Sequence, residues 1–326
     1  MADEYMDGFD RYSTAQIPRE YPDSSGSVSI VTGLFGSGGA LHVGYNQRVN
    51  QPLTARSTYV VGFDYLGSST YHGFFILTKG SKATIVAIHR NADGSISTDF
   101  GNSDPGILWP GTIYNIQVKL VISATAGIFV VKVDGVTVIN QTGSNWVNTG
   151  TDNINGISFY NDNISDATFD NAWVFNTLGT HSNDFPVGRL SIQPHMPSAD
   201  GAHTDLTPNT GSRYSCVSDV PADDDTTFIA SGTPGAMGTF GVPALTGSIN
   251  RIHAVKINAV MRKTDVDSKT AHIVLQSGST LAESADIAVS LNYGDFSMIL
   301  PDDPATSAQW TISGANATQP GVKVVA

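Results

Sequence analysis

The sequence predicts an all-β protein built as two β-sandwich domains joined by an extended linker. Apolar and polar residues alternate over segments of strand length throughout the chain, and no segment sustains the 3.6-residue period of an amphipathic helix. Charged residues make up only 14% of the sequence, so its polarity comes from Ser, Thr, Asn and Gly, which favour turns and exposed strand faces. At 326 residues the chain is long enough for two domains, each with its own core.

The clearest strands of the first half form a meander between Tyr114 and Gln141. Every second residue from Tyr114 to Ile122 is apolar, which is typical of a strand with one buried face. Two runs rich in β-branched residues follow, and Asp134-Gly135 separates them. Asp-Gly between such runs is the strongest local signal of a hairpin. Further predicted strands cover residues 58–65, 73–78, 83–89 and 167–175.

A change of composition places the domain boundary near residue 180. Residues 179–211 are rich in Ser, Asn, Asp and Pro with few apolar pairs, which indicates a linker. The predicted organisation is an N-terminal arm or first strand at 1–23, a first sandwich at 24–180 and a second sandwich at 181–326. Predicted strands of the second half cover residues 249–262, 271–276, 287–291, 296–300 and 321–325.

Aromatic residues crowd the first 23 residues and need a surface to cover them. Tyr5, Phe9 and Tyr12 are the candidates for such contacts. Two surfaces could cover them: the sandwich of the same chain, or a neighbouring subunit onto which these three residues would dock.

The charge balance restricts the possible partners. The formal net charge is −12 with 17 Lys and Arg, so no basic stripe is available for a phosphate backbone, and nucleic acid is not an expected partner. No apolar stretch approaches the length of a membrane span, so no membrane partner is expected either. The chain begins without a secretory signal pattern, and we expect synthesis in the cytoplasm. Cys216 is the only cysteine, which excludes an internal disulfide.

The sequence carries no persuasive catalytic motif, and we predict a non-enzymatic protein. A Gly-x-Ser-x-Gly elbow, a His-Glu-x-x-His helix and a phosphate-binding loop are all missing. Glutamate is limited to Glu4, Glu20 and Glu283, which argues against the carboxylate pair of a glycosidase.

One acidic segment suggests a possible Ca²⁺ site, and no other cofactor is predicted. Asp162, Asp166 and Asp170, together with Asn161 and Asn163, concentrate oxygen ligands shortly before and within a strand. The alternative is an ordinary turn, since Asn and Asp favour loops for backbone reasons alone.

Aromatic residues in predicted loops are candidates for stacking on sugar rings. The candidates for carbohydrate binding are Trp109, Trp146 and Tyr160, with Tyr71 as a further loop aromatic. Packing in the core is the alternative for each of them. Trp173 stands between apolar neighbours in a strand and is assigned to the core.

The meander and the closing strand carry a resemblance to a known fold family. The stretch from Tyr114 through Gly127–Val133 and Asp134-Gly135, ended by Phe-Asp-Asn-Ala-Trp-Val at 169–174, resembles the laminin-G or concanavalin-like jelly roll. The resemblance implies a jelly-roll-like sandwich for residues 24–180. It carries over no catalytic residue.

The second half resembles uncharacterised structural proteins of tailed bacteriophages. The segments that carry this resemblance are 199–208, 221–228, Trp310-Thr311 and 321–324, together with the opening residues 7–10. The resemblance implies a virion protein, exposed as capsid decoration or on the tail, that forms a homo-oligomer, docks onto other virion proteins and is assembled in the host cytoplasm. The alternative is a carbohydrate-binding adhesion module of a tail fibre that recognises a host-surface glycan.

Overall fold

The computed structural model describes residues 3–26, 28–68, 71–79, 83–143, 153–163, 166–177 and 185–326. The chain divides into two compact units, Met1–Gln193 and Pro194–Ala326. Both units are built from antiparallel strands, which confirms the all-β prediction. Within the described residues, no helix is long and apolar enough to cross a membrane.

The described residues of the first unit form fourteen strands, a 3-10 turn and one short α-helix. Its elements are β1 Asp3–Asp7, a 3-10 turn Thr14–Gln16, α1 Ile17–Glu20, β2 Ser29–Thr32, β3 Gly39–Val43, β4 Gln47–Arg56, β5 Thr58–Gly67, β6 His72–Lys79, β7 Ala83–Arg90, β8 Ile96–Thr98, β9 Gly101–Asn102, β10 Ile113–Val121, β11 Gly127–Val133, β12 Val136–Gly143, β13 Ile154–Asn161 and β14 Ala167–Phe175.

Two sheets face each other in this unit. The larger sheet has the order β12-β11-β10-β5-β14-β3-β2, with β1 paired to β14, and the smaller has the order β4-β13-β6-β7-β8-β9. Aromatic rings fill the space between them: the centroid of Phe63, on the larger sheet, lies 5.0 Å from that of Phe75 and 5.6 Å from that of Phe159, both on the smaller sheet. We call these the large sheet and the small sheet.

The predicted hairpin between β11 and β12 is confirmed. Val133 pairs with Val136, and Asp134 and Gly135 occupy the turn with φ of 47° and 83°. Positive φ at both central residues is the backbone conformation of a type I′ turn, whose twist matches that of the flanking strands.

The N-terminal segment is a strand of the large sheet and not an arm. β1 pairs with β14, with Met6 opposite Trp173. The side chains of Tyr5, Phe9 and Tyr12 are 3%, 0% and 5% exposed. The predicted docking role of these three residues is therefore wrong, because the core of the same unit already covers their rings.

A buried carboxylate explains why so many tyrosines lie near the N-terminus. The hydroxyls of Tyr12 and Tyr21 donate to Asp7 Oδ2 at 2.9 and 2.8 Å, and the hydroxyl of Tyr5 lies 2.7 Å from that of Tyr21. Burial raises the pKa of all three phenols well above the usual range. They therefore stay protonated and can satisfy Asp7, which is only 4% exposed.

Residues 185–192 pack across the outer face of the large sheet. The first unit therefore extends to Gln193, whereas the sequence predicts the domain boundary near residue 180. Phe185, Val187 and Leu190 contact a small cluster built on Trp173 and Phe175. Backbone amides anchor the segment, since the N–H of residue 187 donates to Gln117 Oε1 at 2.9 Å and that of residue 192 to Asn171 Oδ1 at 2.8 Å. This stretch, which its composition assigns to the linker, belongs to the first unit.

The second unit consists of short strands. They are β15 Ala199–Thr204, β16 Thr207–Pro208, β17 Ile229–Ala230, β18 Met237–Gly241, β19 Val255–Met261, β20 Lys269–Ser277, β21 Thr280–Glu283, β22 Ile287–Val289, β23 Gly294–Leu300, β24 Asp302–Asp303, β25 Ala308–Gln309 and β26 Gln319–Val324, with a 3-10 turn at Tyr214–Cys216 and α2 at Ile312–Asn316.

Its main sheet has the order β15-β18-β26-β20-β21, with β22 also on β20, and β19 and β23 form a separate ribbon. Ile257 of the ribbon, Ile273 and Leu275 of the main sheet and Trp310 form the core between them. The indole N–H of Trp310 donates to the carbonyl of Leu300 at 2.9 Å, so the large ring is buried without losing its hydrogen bond.

Candidate functional site

The outer face of the small sheet carries a group of polar and aromatic side chains from separate strands. Val49 of β4 and Phe159 of β13 point into the core, and side chains alternate along a strand. The residues next to them therefore point to the outer face. We define the tyrosine–histidine face by six residues: Arg48, Asn50, Tyr71, His89, Ser158 and Tyr160.

Strand register brings these side chains together. Arg48 is directly opposite Tyr160, and Asn50 is opposite Ser158, in the β4–β13 pair. On the other side of β13 lies β6, followed by β7, where His89 is opposite Gly73 of β6. A Cβ atom at position 73 would come within 1.8 Å of the Tyr160 hydroxyl. Glycine at this position therefore leaves the space in which the Tyr160 ring crosses β6 and reaches His89.

His89 connects two phenols. Its Nε2 lies 2.9 Å from the Tyr160 hydroxyl, and its Nδ1 lies 3.0 Å from the Tyr71 hydroxyl. A neutral imidazole has one donor and one acceptor nitrogen, so it can serve both phenols, one as acceptor and one as donor. The three residues form a continuous hydrogen-bonded chain along the surface.

Burial keeps this chain uncharged at neutral pH. Desolvation lowers the pKa of His89, against the smaller opposing effect of Asp162 and Asp99. Desolvation also raises the pKa of Tyr160 and of Tyr71, and the negative charge of Asp162 adds to both shifts. Neutral imidazole and neutral phenols are therefore the forms that face a ligand.

Arg48 and Asn50 complete the face at the edge strand β4. The guanidinium carbon of Arg48 lies 5.4 Å from the centroid of the Tyr160 ring, within cation–π range. Ser158 donates its hydroxyl to Asn50 Oδ1 at 2.5 Å, and Asn50 Nδ2 donates to the carbonyl of Asp23 at 2.8 Å. These bonds fix the orientation of the amide beside the Arg48–Tyr160 pair.

The carboxylates near the face are engaged by backbone amides. Asp162 Oδ1 accepts the amide of Gly73 at 2.7 Å, and Asp99 Oδ2 accepts the amide of Ala87 at 2.9 Å. Each of them satisfies a strand N–H, which is a structural role.

Exposed aromatic rings stand in the loops at one end of the first unit. Trp109 is 63% exposed, Tyr45 60% and Tyr71 41%. Pairing of Gly67 with Ala167, and of Ala167 with Val43, places the loops after β5, before β14 and after β3 at the same end. Tyr71 belongs both to this end and to the tyrosine–histidine face through its bond to His89.

The three predicted carbohydrate-binding residues have different positions. Trp109 is exposed in its loop, and its backbone N–H donates to the Tyr114 hydroxyl at 2.9 Å. Tyr160 is a strand residue whose ring is largely covered, with its hydroxyl held by His89. Trp146 lies outside the described residues.

Sequence reasoning missed His89 and Arg48. The eight histidines are scattered along the sequence without a motif, and a single arginine carries none either. The signal in the sequence was the alternation of buried and outward-pointing residues along the strand. Val86 and Ile88 are buried in the core, so His89 must point to the other face. The sequence does not show which strands lie beside it.

The predicted calcium ligands do not form a site. Asp162 holds the Gly73 amide, Asp166 Oδ1 lies 3.4 Å from His42 Nε2, and Asp170 accepts the amides of Leu34 and Asn171. Three residues spread over a strand end, a loop and a strand interior have separate partners. Across the described ranges, no group of three or more His, Cys, Asp or Glu side chains is placed to hold a metal ion.

Asp170 instead belongs to a buried polar group on the large sheet. Burial raises the pKa of Asp170 to about 7, and the nearby charges of Asp10 and Asp64 act in the same direction. Asp64 is held by Asn115, Asn171 and Arg189, the last at 2.9 Å from Nε to Oδ1. A cavity of about 220 Å³ beside Arg189 is lined by Asn115, Gln117 and the β11–β12 turn.

Comparison with known proteins gives likenesses of fold only. No family model and no curated protein sequence matches the chain. Among solved structures, a sialidase matches with 12% identity and a TM-score of 0.40 over 54% of this chain and 19% of that chain. An alginate lyase, Aly36B, in complex with alginate trisaccharide matches with 13% identity and a TM-score of 0.39 over 53% of this chain and 98% of that one. The potassium-bound carbohydrate recognition domain of Emp46p matches with 9% identity and a TM-score of 0.38 over 52% of this chain and 96% of that one.

These likenesses concern the β-sandwich fold and carry over no residue role to this chain. Two of the three structures are enzymes by their names, and that does not establish an activity for this protein. The match also spans less than a fifth of the sialidase, since it covers 19% of that chain.

Proposed function

We propose that the first unit is a non-enzymatic carbohydrate-binding module and that the tyrosine–histidine face is its binding surface. The observation that carries this proposal is the chain Tyr71–His89–Tyr160, with hydrogen bonds of 3.0 and 2.9 Å. It offers a sugar two kinds of contact at once: aromatic surface and hydrogen-bonding groups whose positions are fixed before the ligand arrives. Preorganised groups lose little conformational entropy on binding.

The same geometry favours binding over catalysis. A general base needs a lone pair within reach of the substrate proton, and both nitrogens of His89 are already engaged by phenols. A glycosidase needs two carboxyl groups that flank the scissile bond, and Asp162 and Asp99 are held by strand amides.

The decisive variant is Tyr160→Phe, which removes one hydroxyl and keeps the ring. We expect it to lower oligosaccharide affinity at least roughly tenfold, because the sugar loses a hydrogen-bond partner and His89 loses its orientation. Affinity is measured by calorimetry with glycans first selected on an array. Thermal unfolding should change little, because the hydroxyl lies near the surface of a largely buried ring.

The matched control is Tyr293→Phe in the second unit, whose hydroxyl donates to Asp225 at 2.9 Å. This variant loses a comparable hydroxyl at a residue that is not part of the tyrosine–histidine face, and it should bind normally. Full affinity in Tyr160→Phe, or retention of no glycan by the unaltered protein, contradicts the proposal. Release of reducing or unsaturated ends from a bound glycan contradicts its non-enzymatic part.

We also propose, from the sequence resemblance alone, that the protein acts on a tailed-phage particle, as a homo-oligomer docked to capsid or tail proteins. A glycan-binding first unit fits the adhesion alternative better than a purely decorative role. Antibody labelling of particles viewed by electron microscopy tests this context: label at the tail supports adhesion, and particles without label contradict the virion proposal.

A further inference from the structure

Arg48 is a cation on the binding face without a carboxylate partner among the described residues. Its guanidinium contacts the Tyr160 ring, and no ion pair engages it in the part of the chain that the structure describes. Other arginines of the same unit are paired: Arg11 with Glu20 at 2.5 Å, Arg56 with Glu4 at 2.9 Å and Arg189 with Asp64 at 2.9 Å. The guanidinium of Arg48, on the proposed binding face, is therefore able to bind an anionic ligand.

The position of Arg48 over the Tyr160 ring suits a planar anion. A guanidinium holds its N–H groups in its own plane, and these groups remain able to donate to a ligand. Two parallel N–H groups match the two oxygens of a carboxylate, and such bidentate bonds are among the strongest in proteins. Asn50, held by Ser158 and the carbonyl of Asp23, sits two residues further along the same strand face and limits how the ligand can lie.

We infer that the ligand is an acidic oligosaccharide and that Arg48 binds the carboxylate of a uronic acid unit. This inference rests on the proposed function and specifies its ligand class. Arg48 and His89 lie on β4 and β7, which are three inter-strand spacings apart, about 14 Å. A ligand that contacts both must lie across the strands and be longer than one sugar ring.

The charges around the face restrict the anion to one position. Asp162 and Asp99 act on His89 and Tyr160, so the β6–β7 side is negative, whereas Arg48 lies at the β4 edge. The net charge of the whole chain is −12, so long-range attraction cannot draw an anion to this surface. Selectivity for an acidic sugar therefore depends on the direct contact with Arg48.

The test uses the full chain and matched ligand pairs. Oligomers of mannuronic, guluronic, galacturonic and glucuronic acid are each titrated by calorimetry as the free carboxylate and as the methyl ester, which has the same sugar without the charge. We expect at least one carboxylate form to bind roughly tenfold or more tightly than its ester. Arg48→Gln should abolish that preference, so that the carboxylate and ester forms bind this variant with affinities within about twofold of each other.

Lys132→Gln is the charge-matched control. Lys132 lies on β11 of the large sheet, and its loss changes the net charge by the same amount. It should leave the preference unchanged. If the carboxylate and ester forms bind equally and Tyr160→Phe weakens both, the face binds neutral sugar, and only the acidic ligand class is overturned. If the preference persists in Arg48→Gln, the assignment to Arg48 is wrong. If neither form of any of these oligomers binds while a neutral glycan from the array does, only the acidic ligand class is overturned. If no glycan binds at all, the proposed function itself fails.

Discussion

Gly73 and His89 show how single residues create the candidate site. The absent side chain at position 73 lets the Tyr160 ring lie over β6, and His89 then holds the hydroxyl of that ring. Neither residue belongs to a motif, and each contributes to the site only through its contact with the Tyr160 ring. This explains why the sequence pointed to Tyr160 as a candidate but not to the residues that position it.

Binding should depend on pH through His89. The pKa of His89 is lowered in the folded protein, so the unfolded chain takes up the proton first as the pH falls. The folded state therefore loses stability as the pH falls from the ordinary histidine pKa through the lowered pKa of His89. Over the same interval the imidazolium has no lone pair and cannot accept from a phenol. We expect oligosaccharide affinity to fall as the pH drops below the ordinary histidine pKa of 6.5.

The measurement is the affinity of the unaltered protein and of His89→Gln across this pH range. The variant has no titrating ring, so its affinity should be weaker but nearly independent of pH. A profile with the same pH dependence in both proteins would assign the effect to another group and remove His89 from the site.

At the scale of elements, local sequence signals predict the strands and turn of the meander, but they do not predict which strands form the site. The β10–β11–β12 run and its Asp134-Gly135 turn depend on neighbours in sequence, and the structure has them as predicted. The tyrosine–histidine face combines β4, β13 and β7, whose pairing across β6 is set by packing between distant segments. No local pattern specifies which distant strands become neighbours.

The N-terminal segment is an integral part of the first unit, and this can be tested by removing the side chain of Phe9, which follows β1. Phe9 is 0% exposed and its ring packs edge-to-face on Phe159 at 6.3 Å. We expect Phe9→Ala to lower the free energy of unfolding by about 3–5 kcal/mol, through lost burial and the cavity that remains. Urea denaturation of the first unit's transition provides the measurement.

Phe35→Ala is the matched comparison, because Phe35 is 52% exposed and loses little burial. It should change the free energy of unfolding by less than about 1 kcal/mol. Equal effects of the two substitutions would mean that the N-terminal aromatics do not belong to the core and would restore the docking interpretation.

At the scale of the whole molecule, composition correctly predicted two β units, but the boundary was misplaced. Sparse charge and abundant Ser, Thr, Asn and Gly are properties of the entire chain and indicate its class without any pairing information. The boundary depends on whether residues 185–192 pack against a sheet, and their polar, proline-containing sequence resembles a free linker. Sequence composition does not reveal which backbone amides find partners such as Gln117 and Asn171.

The central claim is that the outer face of the small sheet binds oligosaccharide, and hydrogen–deuterium exchange of the full chain tests it most directly. With saturating glycan, we expect slower amide exchange in peptides that cover residues 47–50, 83–90 and 154–161. Peptides of the large sheet and of the second unit should exchange at their original rates. Protection confined to the second unit or to the large sheet, with none in these three segments, would contradict the claim.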